Sequence, residues 1–254
     1  MSLNKLGPAT AAAAGGGGGW TPASHANGLV WWKADLGVAT TGSDVDSWTD
    51  QISGLIGTPP ATAPTFVSSA LNGLPGIDFG GSSKLHVPAN AAINNIWLKG
   101  SEVYMWIIIT FNAVTGRYRF LDKGFDGGGS WRLIMNGAES DQLEFEIRGT
   151  GGDQILDSDE TFTATSFTIE ISWDGDVTIQ PNLVIDNVVG GWPVNTGTNP
   201  MIDDSSIQMA IGGQQANTTG QLDGLIHELW FAQDPSGAEI TNARDYASTR
   251  WGTF

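Results

Sequence analysis

The sequence has 254 residues, 40% of them hydrophobic, and a formal net charge of −16 from 27 acidic and 11 basic residues. This balance argues against nucleic-acid binding, which needs clustered Lys and Arg, and against adhesion to anionic lipid by charge alone. The chain contains no cysteine, so disulfides and thiolate chemistry are excluded. No apolar stretch is long enough to predict a membrane span.

The first part of the chain is a low-complexity arm with a run of Ala followed by a run of Gly. Such a segment lacks the apolar surface to fold by itself. We predict an arm over residues 1–24, attached to a partner through Leu3, Leu6 and Trp20, and one domain over residues 25–254. The alternative is that the arm folds back on its own domain. No signal peptide is predicted, because Gly interrupts the run of small residues.

The domain is predicted to consist of many short strands separated by turn residues. Residues 103–111 (VYMWIIITF) are continuously apolar, which predicts a central strand covered on both faces. The segment 43–54 is predicted to be a loop, and Asp174-Gly175 is a hairpin turn signal. Further strands are predicted at 28–38, 77–79, 85–87, 118–123, 131–135, 143–148, 167–173 and 183–185.

Residues 207–231 contain two apolar runs on either side of a loop of Gly, Gln, Asn and Thr. Both runs have period two, which predicts strands, and the polar loop predicts that they pair as an antiparallel hairpin. The second run is apolar on both faces apart from His227 and Glu228, so it is predicted to lie centrally in a sheet.

One helix is predicted after these strands. Ser236 and Glu239 have the S-x-x-E spacing of a capping box, residues at helical spacing follow, and Gly252 supplies a C-terminal stop. Strands at this spacing, followed by a single helix, predict an all-β sandwich or jelly roll.

The closing segment, GLIHELWFAQDPSGAEITNARDYASTRWG, resembles laminin-G-like, concanavalin-A-like jelly rolls, in which a Gly-x-Ile-Asp-Glu strand precedes a short helix ending in Trp-Gly or Tyr-Gly. His227 stands where that family usually has Asp. The opening segments GLVWWKADLGV, VDSWTDQISG and LNGLPGIDFGGSSKL are also similar to the family, so the resemblance covers about residues 28–252. The matched positions at the end are Gly224, Ile226, Glu228, Trp251 and Gly252.

The resemblance implies a two-sheet antiparallel jelly-roll sandwich (concanavalin A-like) with one short C-terminal helix and an extended N-terminal arm. This fold hosts lectins, adhesins, hydrolases and viral structural proteins, so it does not determine the function.

Three alternating polar side chains, Gln142, Glu144 and Glu146, share one face of a predicted strand. Jelly-roll glucanases that resemble this fold carry Glu-x-Asp-x-Glu on such a strand, with the first Glu as nucleophile and the last as general acid/base. Gln142 cannot replace that nucleophile, because an amide is not a carboxylate. We therefore predict that the chain is not an enzyme and that these side chains lie on a solvated face.

An acidic cluster follows Gly151-Gly152 and is interpreted as a loop. Carboxylates are the ligands that Ca²⁺ prefers, and laminin-G-like domains often bind calcium at their rims. The alternative is a solvated charged turn; no other cofactor is predicted. The candidate ligands are Asp153, Asp157, Asp159 and Glu160.

Two tryptophans, Trp97 and Trp192, lie outside the strand patterns. They are candidates for contact with a glycan or a partner, because aromatic side chains favour both kinds of surface. The alternative for each is packing against its own domain. The three histidines have no metal-ligand spacing.

The favoured function is that of a non-enzymatic virion structural protein, made in the host cytoplasm and located in the virion. It would be a phage capsid decoration or tail component, a homo-oligomer attached to other virion proteins through its arm. The alternative is a secreted or surface glycan-binding module, a lectin or adhesin that binds cell-surface glycan, with Ca²⁺ as a candidate ligand. A glycoside hydrolase is the least favoured function.

Overall fold

The computed structural model describes residues 19–98, 100, 102–113, 116–124, 128, 130–136, 142–150, 152–161, 166–176, 181–186, 188–190, 201–216 and 219–252. Within these residues, strands form an eleven-stranded and a six-stranded sheet, and every paired strand runs antiparallel to its neighbour. The same part of the chain contains no helix that is both long and apolar enough to cross a bilayer.

The larger sheet collects strands from the whole length of the chain. Its strands are β1 (Gly28–Lys33), β2 (Val38–Thr41), β3 (Asp44–Thr49), β4 (Ile56–Gly57), β5 (Thr65–Leu71), β6 (Leu74–Asp78), β8 (Val103–Phe111), β13 (Ser166–Trp173), β14 (Asn182–Ile185), β15 (Val188–Gly190) and β17 (Gly224–Gln233). β17 lies at the centre: β8 pairs with one of its edges, while β1 and β6 pair with different parts of the other.

The smaller sheet is formed mainly by strands that are neighbours in sequence. In spatial order its strands are β12 (Gly152–Thr161), β11 (Gln142–Gly149), β10 (Trp131–Asn136), β9 (Arg117–Asp122), β16 (Met209–Ile211) and β7 (Leu85–Val87).

The main core lies between the two sheets and is made of side chains that alternate along each strand. On β8, Met105, Ile107 and Ile109 face this core, while Tyr104 and Trp106 face the opposite side of the large sheet. β8 is therefore covered on both faces, which confirms the prediction of a central strand and explains its continuous apolar run.

Helix α1 (Gly237–Trp251) covers that opposite side. Ser236 and Glu239 form the predicted capping box, and Gly252 ends the helix in the left-handed conformation with φ 68°. Ala243, Ala247 and other buried residues on its inner face pack on an aromatic cluster that includes Trp31, Trp106 and Trp230. The molecule thus has three layers, and the predicted jelly-roll class and C-terminal helix are confirmed.

The predicted hairpin over residues 207–231 is wrong. β16 belongs to the six-stranded sheet and pairs with β7 and β9, whereas β17 lies in the large sheet. The polar loop between them therefore carries the chain from one sheet to the other, which a period-two pattern cannot distinguish from a turn. A β-bulge between Ile226 and Glu228 also places His227 and Glu228 on the same side, where both contact Trp251.

Three further segments differ from the sequence predictions. Residues 43–54, predicted as a loop, contain all of β3, which pairs with β2. The acidic cluster lies on β12, which is a strand and not a loop. β5 and β6 form a hairpin whose turn residues Asn72 and Gly73 both have positive φ, as a tight two-residue hairpin turn requires.

Candidate functional site

The outer face of the six-stranded sheet, opposite the core, carries charged side chains in rows that cross several strands. In one row, Arg132 of β10 lies between Asp122 of β9 and Glu146 of β11. These three neighbours alternate in sign, and each faces away from the core because the residues beside it in sequence face inward. We call this surface the charged face.

A second row lies one pleat further along the same strands. Ile134 of β10 is flanked by Arg119 of β9 and Glu144 of β11, and Glu144 is itself paired with Asp157 of β12. Because strands hold their neighbours about 4.8 Å apart, the two rows place donors and acceptors of hydrogen bonds on a rigid two-dimensional grid.

Arg117 joins the carboxylates of the charged face. Its Nη2 donates to Glu146 Oε1 at 2.7 Å and lies 3.3 Å from Glu144 Oε2. The other oxygen of Glu146 accepts from Arg132 Nη2 at 2.6 Å. Glu146 is therefore held between two guanidinium groups, and charge-assisted hydrogen bonds of this kind are among the stronger ones in proteins.

Most of these groups have little contact with solvent. Glu146 is 1% exposed, Asp122 0% and Arg132 4%. The side chain of Arg117, by contrast, is 42% exposed. The charged face therefore consists of a buried grid of ions with one arginine that reaches the surface.

One border of the charged face is formed by the segment that connects β16 with β17. The backbone N–H of Arg119 donates to the Gly220 carbonyl at 3.0 Å, and Gly220 has φ 69°. The positive φ of Gly220 favours glycine, and a Cβ there would displace the Arg119 guanidinium. The Lys84 ammonium holds the same segment by donating to the Gln214 and Gln215 carbonyls. Burial lowers the pKa of Lys84, and the nearby Asp122 carboxylate opposes that shift.

The prediction that Glu144 and Glu146 lie on a solvated face is wrong, because both are buried and ion-paired. The prediction that they share a face of one strand with Gln142 agrees with the register of β11. Sequence analysis missed Arg117, Arg119 and Arg132. Arg119 and Arg132 lie on the predicted strands 118–123 and 131–135, and Arg117 lies two positions before Arg119, but the pairing of those strands was not visible.

The acidic cluster does not form the predicted calcium loop. Asp153 and Asp157 lie four residues apart on β12, about 13 Å at the usual strand rise, which is too far for both to coordinate one ion at 2.3–2.6 Å. Asp153 instead pairs with Arg148 at 3.4 Å. The side chains of Asp159 and Glu160 lie outside the described part of the structure. Among the described residues, no group of His, Cys, Asp or Glu is arranged to hold a metal ion.

The two candidate tryptophans have different outcomes. Trp97 is 1% exposed and packs against Trp131, Phe145 and Trp173 in the main core. It is therefore unavailable for stacking on a glycan, and its prediction as a contact residue is wrong. Trp192 lies outside the described residues.

The predicted attachment residues Leu3 and Leu6 also lie outside the described part of the chain. Trp20 is half-buried on the domain itself, where its ring meets Trp230 and Tyr246 at centroid distances of 5.6 and 6.2 Å. The attachment of the arm to another protein stays a prediction.

A second buried polar cluster lies under α1, centred on the fully buried Glu228. Its carboxylate accepts from Trp31 Nε1 at 2.5 Å, Trp251 Nε1 at 2.6 Å and the Tyr246 hydroxyl at 3.0 Å. Burial raises the pKa of Glu228 to about 7, against the opposite effect of these donors and of Arg250. The cluster links β1, β17 and α1, and its full burial assigns it to the scaffold.

A third polar cluster surrounds the buried Lys123. Its ammonium donates to Asn94 Oδ1 at 2.9 Å and to the Ile207 carbonyl, and it lies 4.0 Å from Asp204 Oδ1. Burial lowers the pKa of Lys123 to about 8 and raises the pKa of Asp204. The protein's own ammonium fills this oxygen-lined space, so the cluster also belongs to the scaffold.

Comparison with solved structures shows the same fold in several binding and hydrolase proteins. Domain 4 of AbnA, a GH43 extracellular arabinanase from Geobacillus stearothermophilus solved with arabinotriose, is similar with a TM-score of 0.58 and 12% identity, over 85% of this chain and 97% of that domain. The binding domain of botulinum neurotoxin DC, solved with rat synaptotagmin II, gives a TM-score of 0.60 and 11% identity, over 87% of this chain and 52% of that one.

A Trypanosoma rangeli sialidase is similar with a TM-score of 0.56 and 13% identity, over 91% of this chain and 34% of the sialidase. The chain thus spans about half of the neurotoxin domain and a third of the sialidase. No protein-family model matches the sequence, and no curated protein sequence matches it either. None of these three structures is a virion protein, so the phage role stays a prediction. At these identities the likeness shows a jelly-roll β-sandwich fold.

Proposed function

We propose that the chain is a glycan-binding β-sandwich module and that the charged face is its binding surface. The observation that carries the proposal is the grid of guanidinium and carboxylate groups across the six-stranded sheet. Three of the 11 basic residues of a strongly acidic chain are gathered on this grid, namely Arg117, Arg119 and Arg132. Because basic residues are few in this chain, their concentration on one face favours a role in binding over a role in keeping the protein soluble.

The chemistry of the grid suits a polyhydroxylated ligand. A sugar hydroxyl can accept a hydrogen bond, and the exposed Arg117 guanidinium, which Glu144 and Glu146 hold in place, supplies a donor in a fixed direction. Groups built on strands hold their positions more rigidly than groups on loops. Arg117 is the member of the grid that a ligand meets first, because its side chain is the most exposed.

The comparisons support a binding function without identifying the ligand. One similar structure is an arabinanase domain solved with arabinotriose, and another is a neurotoxin binding domain solved with rat synaptotagmin II. We favour a neutral oligosaccharide, because the net charge of −16 repels acidic ligands.

We propose that the module has no hydrolase activity of its own, although a sialidase and an arabinanase domain share the fold. Glycoside hydrolysis needs one carboxyl group that can give a proton and a second that is free to attack or to activate water. Here Glu146 has both oxygens engaged by guanidinium groups, and Glu144 lies beside Arg117. The position two residues before Glu144 is Gln142, which cannot serve as the nucleophile.

The test is binding of neutral oligosaccharides, first on a glycan array and then by calorimetry with a ligand that the array identifies. Arg117→Ala should weaken binding about tenfold, the equivalent of one charge-assisted hydrogen bond. Arg244→Ala is the matched control, because Arg244 pairs with Glu170 and lies on α1, on the far side of the large sheet. Wild-type protein that binds no neutral glycan would refute the proposed function. Equal affinity of Arg117→Ala and wild type would remove the charged face from the site.

A further inference from the structure

A groove of about 790 Å³ lies on the other side of the molecule, between α1 and the β5–β6 turn. Trp20 and Leu74 provide its apolar surface, and Asn72 of the turn provides a polar one. The turn is fixed to the helix, because Asn72 Nδ2 donates to the Arg250 carbonyl at 2.8 Å. The volume is within the range of small-molecule sites, roughly 300–1,000 Å³.

One stripe of α1 forms the wall of this groove. Its members recur at intervals of three and four residues, so they lie on one side of the helix beside the buried stripe. They are Asn242, Asp245, Tyr246, Thr249 and Arg250.

The polar members of the stripe are available to a ligand. Asn242, Asp245 and Thr249 are exposed, and no hydrogen bond of their side chains to the described residues is observed. Arg250, by contrast, pairs with Asp35 and lies 3.5 Å from Glu228. The groove therefore offers the amide of Asn242, the carboxylate of Asp245 and the hydroxyl of Thr249 beside the rings of Trp20 and Tyr246. Among the described lining residues, Asp245 is the one charge without an oppositely charged partner.

We infer that this groove is a second saccharide site, specific for neutral oligosaccharides. Trp20 and Tyr246 are half-buried, and their rings contact each other edge to face at 6.2 Å. An aromatic face packs against the apolar C–H face of a sugar ring, while Asn242, Asp245 and Thr249 can bond its hydroxyls. The uncompensated Asp245 and the overall negative charge disfavour sialic acid and other acidic sugars.

The inference rests on the proposed class of function but not on the charged face. The two sites lie on different sheets, and they share no residue. Their variants therefore report on each site separately.

The experiment titrates the full chain with maltotriose, arabinotriose and sialyllactose while backbone and indole N–H signals are followed by NMR. Signals of Trp20, Asn242 and Asp245 should shift with a neutral trisaccharide and stay unchanged with sialyllactose. The double substitution Asn242→Ala/Asp245→Ala should reduce the affinity measured at the Trp20 signals at least tenfold. Both positions are exposed on a helix that Ala favours, so the thermal transition should not fall.

Ser248→Ala is the matched control, because Ser248 is exposed on the same helix and does not line the groove. It should bind as wild type does. Signals of the groove that stay unchanged at millimolar concentrations of both neutral trisaccharides would overturn the inference. Binding that survives in the double variant and disappears in Arg117→Ala would also overturn it, while leaving the charged face as the binding surface.

Discussion

Replacing Glu228 with Gln removes a titrating group from beneath α1 and should change how stability depends on pH. Burial raises the pKa of Glu228 from an ordinary 4.5 to about 7. A carboxyl group that holds its proton more tightly in the native chain contributes its full stability below pH 4.5, and this contribution is lost as the pH rises through 7. The loss amounts to about 3 kcal/mol in the free energy of unfolding.

Gln has nearly the shape of a protonated carboxyl group and stays neutral at every pH. Each keeps one oxygen that accepts from one of the two indole N–H groups of Trp31 and Trp251. At the other, the protonated carboxyl has an O–H oxygen that can still accept, whereas Gln has an NH2 group that only donates, so Gln loses at most one hydrogen bond relative to the protonated chain. At pH 5 we therefore expect their free energies of unfolding to agree within about 1 kcal/mol. Above pH 8 the Glu228→Gln chain should be the more stable, by up to about 3 kcal/mol.

The assay is guanidinium unfolding of both chains at each pH from 5 to 9, followed by tryptophan fluorescence. Glu239→Gln serves as the control: its capping bonds to Ser236 lower the pKa of Glu239, so its contribution is present above pH 4.5 and lost only on acidification. Its difference from wild type should therefore be constant from pH 5 to 9. A constant difference for Glu228→Gln over the same range would refute the reasoning, since it would mean that Glu228 does not titrate there.

Two further predictions concern local geometry. Gly175 has φ 81°, and a Cβ there would overlap the Trp97 carbonyl oxygen, so Gly175→Ala should lower the free energy of unfolding by about 3 kcal/mol or more. Gly42 has φ 65° and lies in open space, so Gly42→Ala should lower the free energy of unfolding by only about 1 kcal/mol. Thermal unfolding checks this pair, and equal shifts in Tm would contradict the role of the overlap. Ser236→Ala should cost about 1 kcal/mol through loss of the helix cap, measured by chemical unfolding against Ser248→Ala; a cost no larger than that of the control would contradict it.

Sequence patterns predicted the elements whose signals are local. The apolar run of β8 indicated burial on both faces, and the capping box with Gly252 fixed both ends of α1. The β5–β6 hairpin was also within reach, because Asn72-Gly73 is a strong hairpin signal. Its strands have no apolar run, since much of β5 is exposed, and the pattern was missed for that reason.

The predictions failed where the answer depends on which strands become neighbours. β12 reads as a loop because Asp is disfavoured in strands, yet it is paired to β11 as the outermost described strand of the smaller sheet. The charged face has the same origin: Arg132 and Glu146 are distant from Arg117 in sequence, and only the register of three strands brings them together. The prediction that Trp97 contacts a glycan or a partner was wrong, because a tryptophan outside a strand can still fill the core from a short 3₁₀ turn.

The central place of β17 determines the order in which the large sheet can assemble. The contact between Trp31 of β1 and Glu228 of β17 joins residues 197 positions apart. One edge of β8 also pairs with β17, so it stays unpaired until β17 has been added to the sheet. Such long-range pairing is slow, because the chain must close a large loop before any bond is gained. β9 to β12 have no such constraint, since each pairs with the next along the chain. Until β17 is in place, β8, which is apolar and buried along nearly its whole length, has an open edge, and this edge is where an incomplete chain would aggregate.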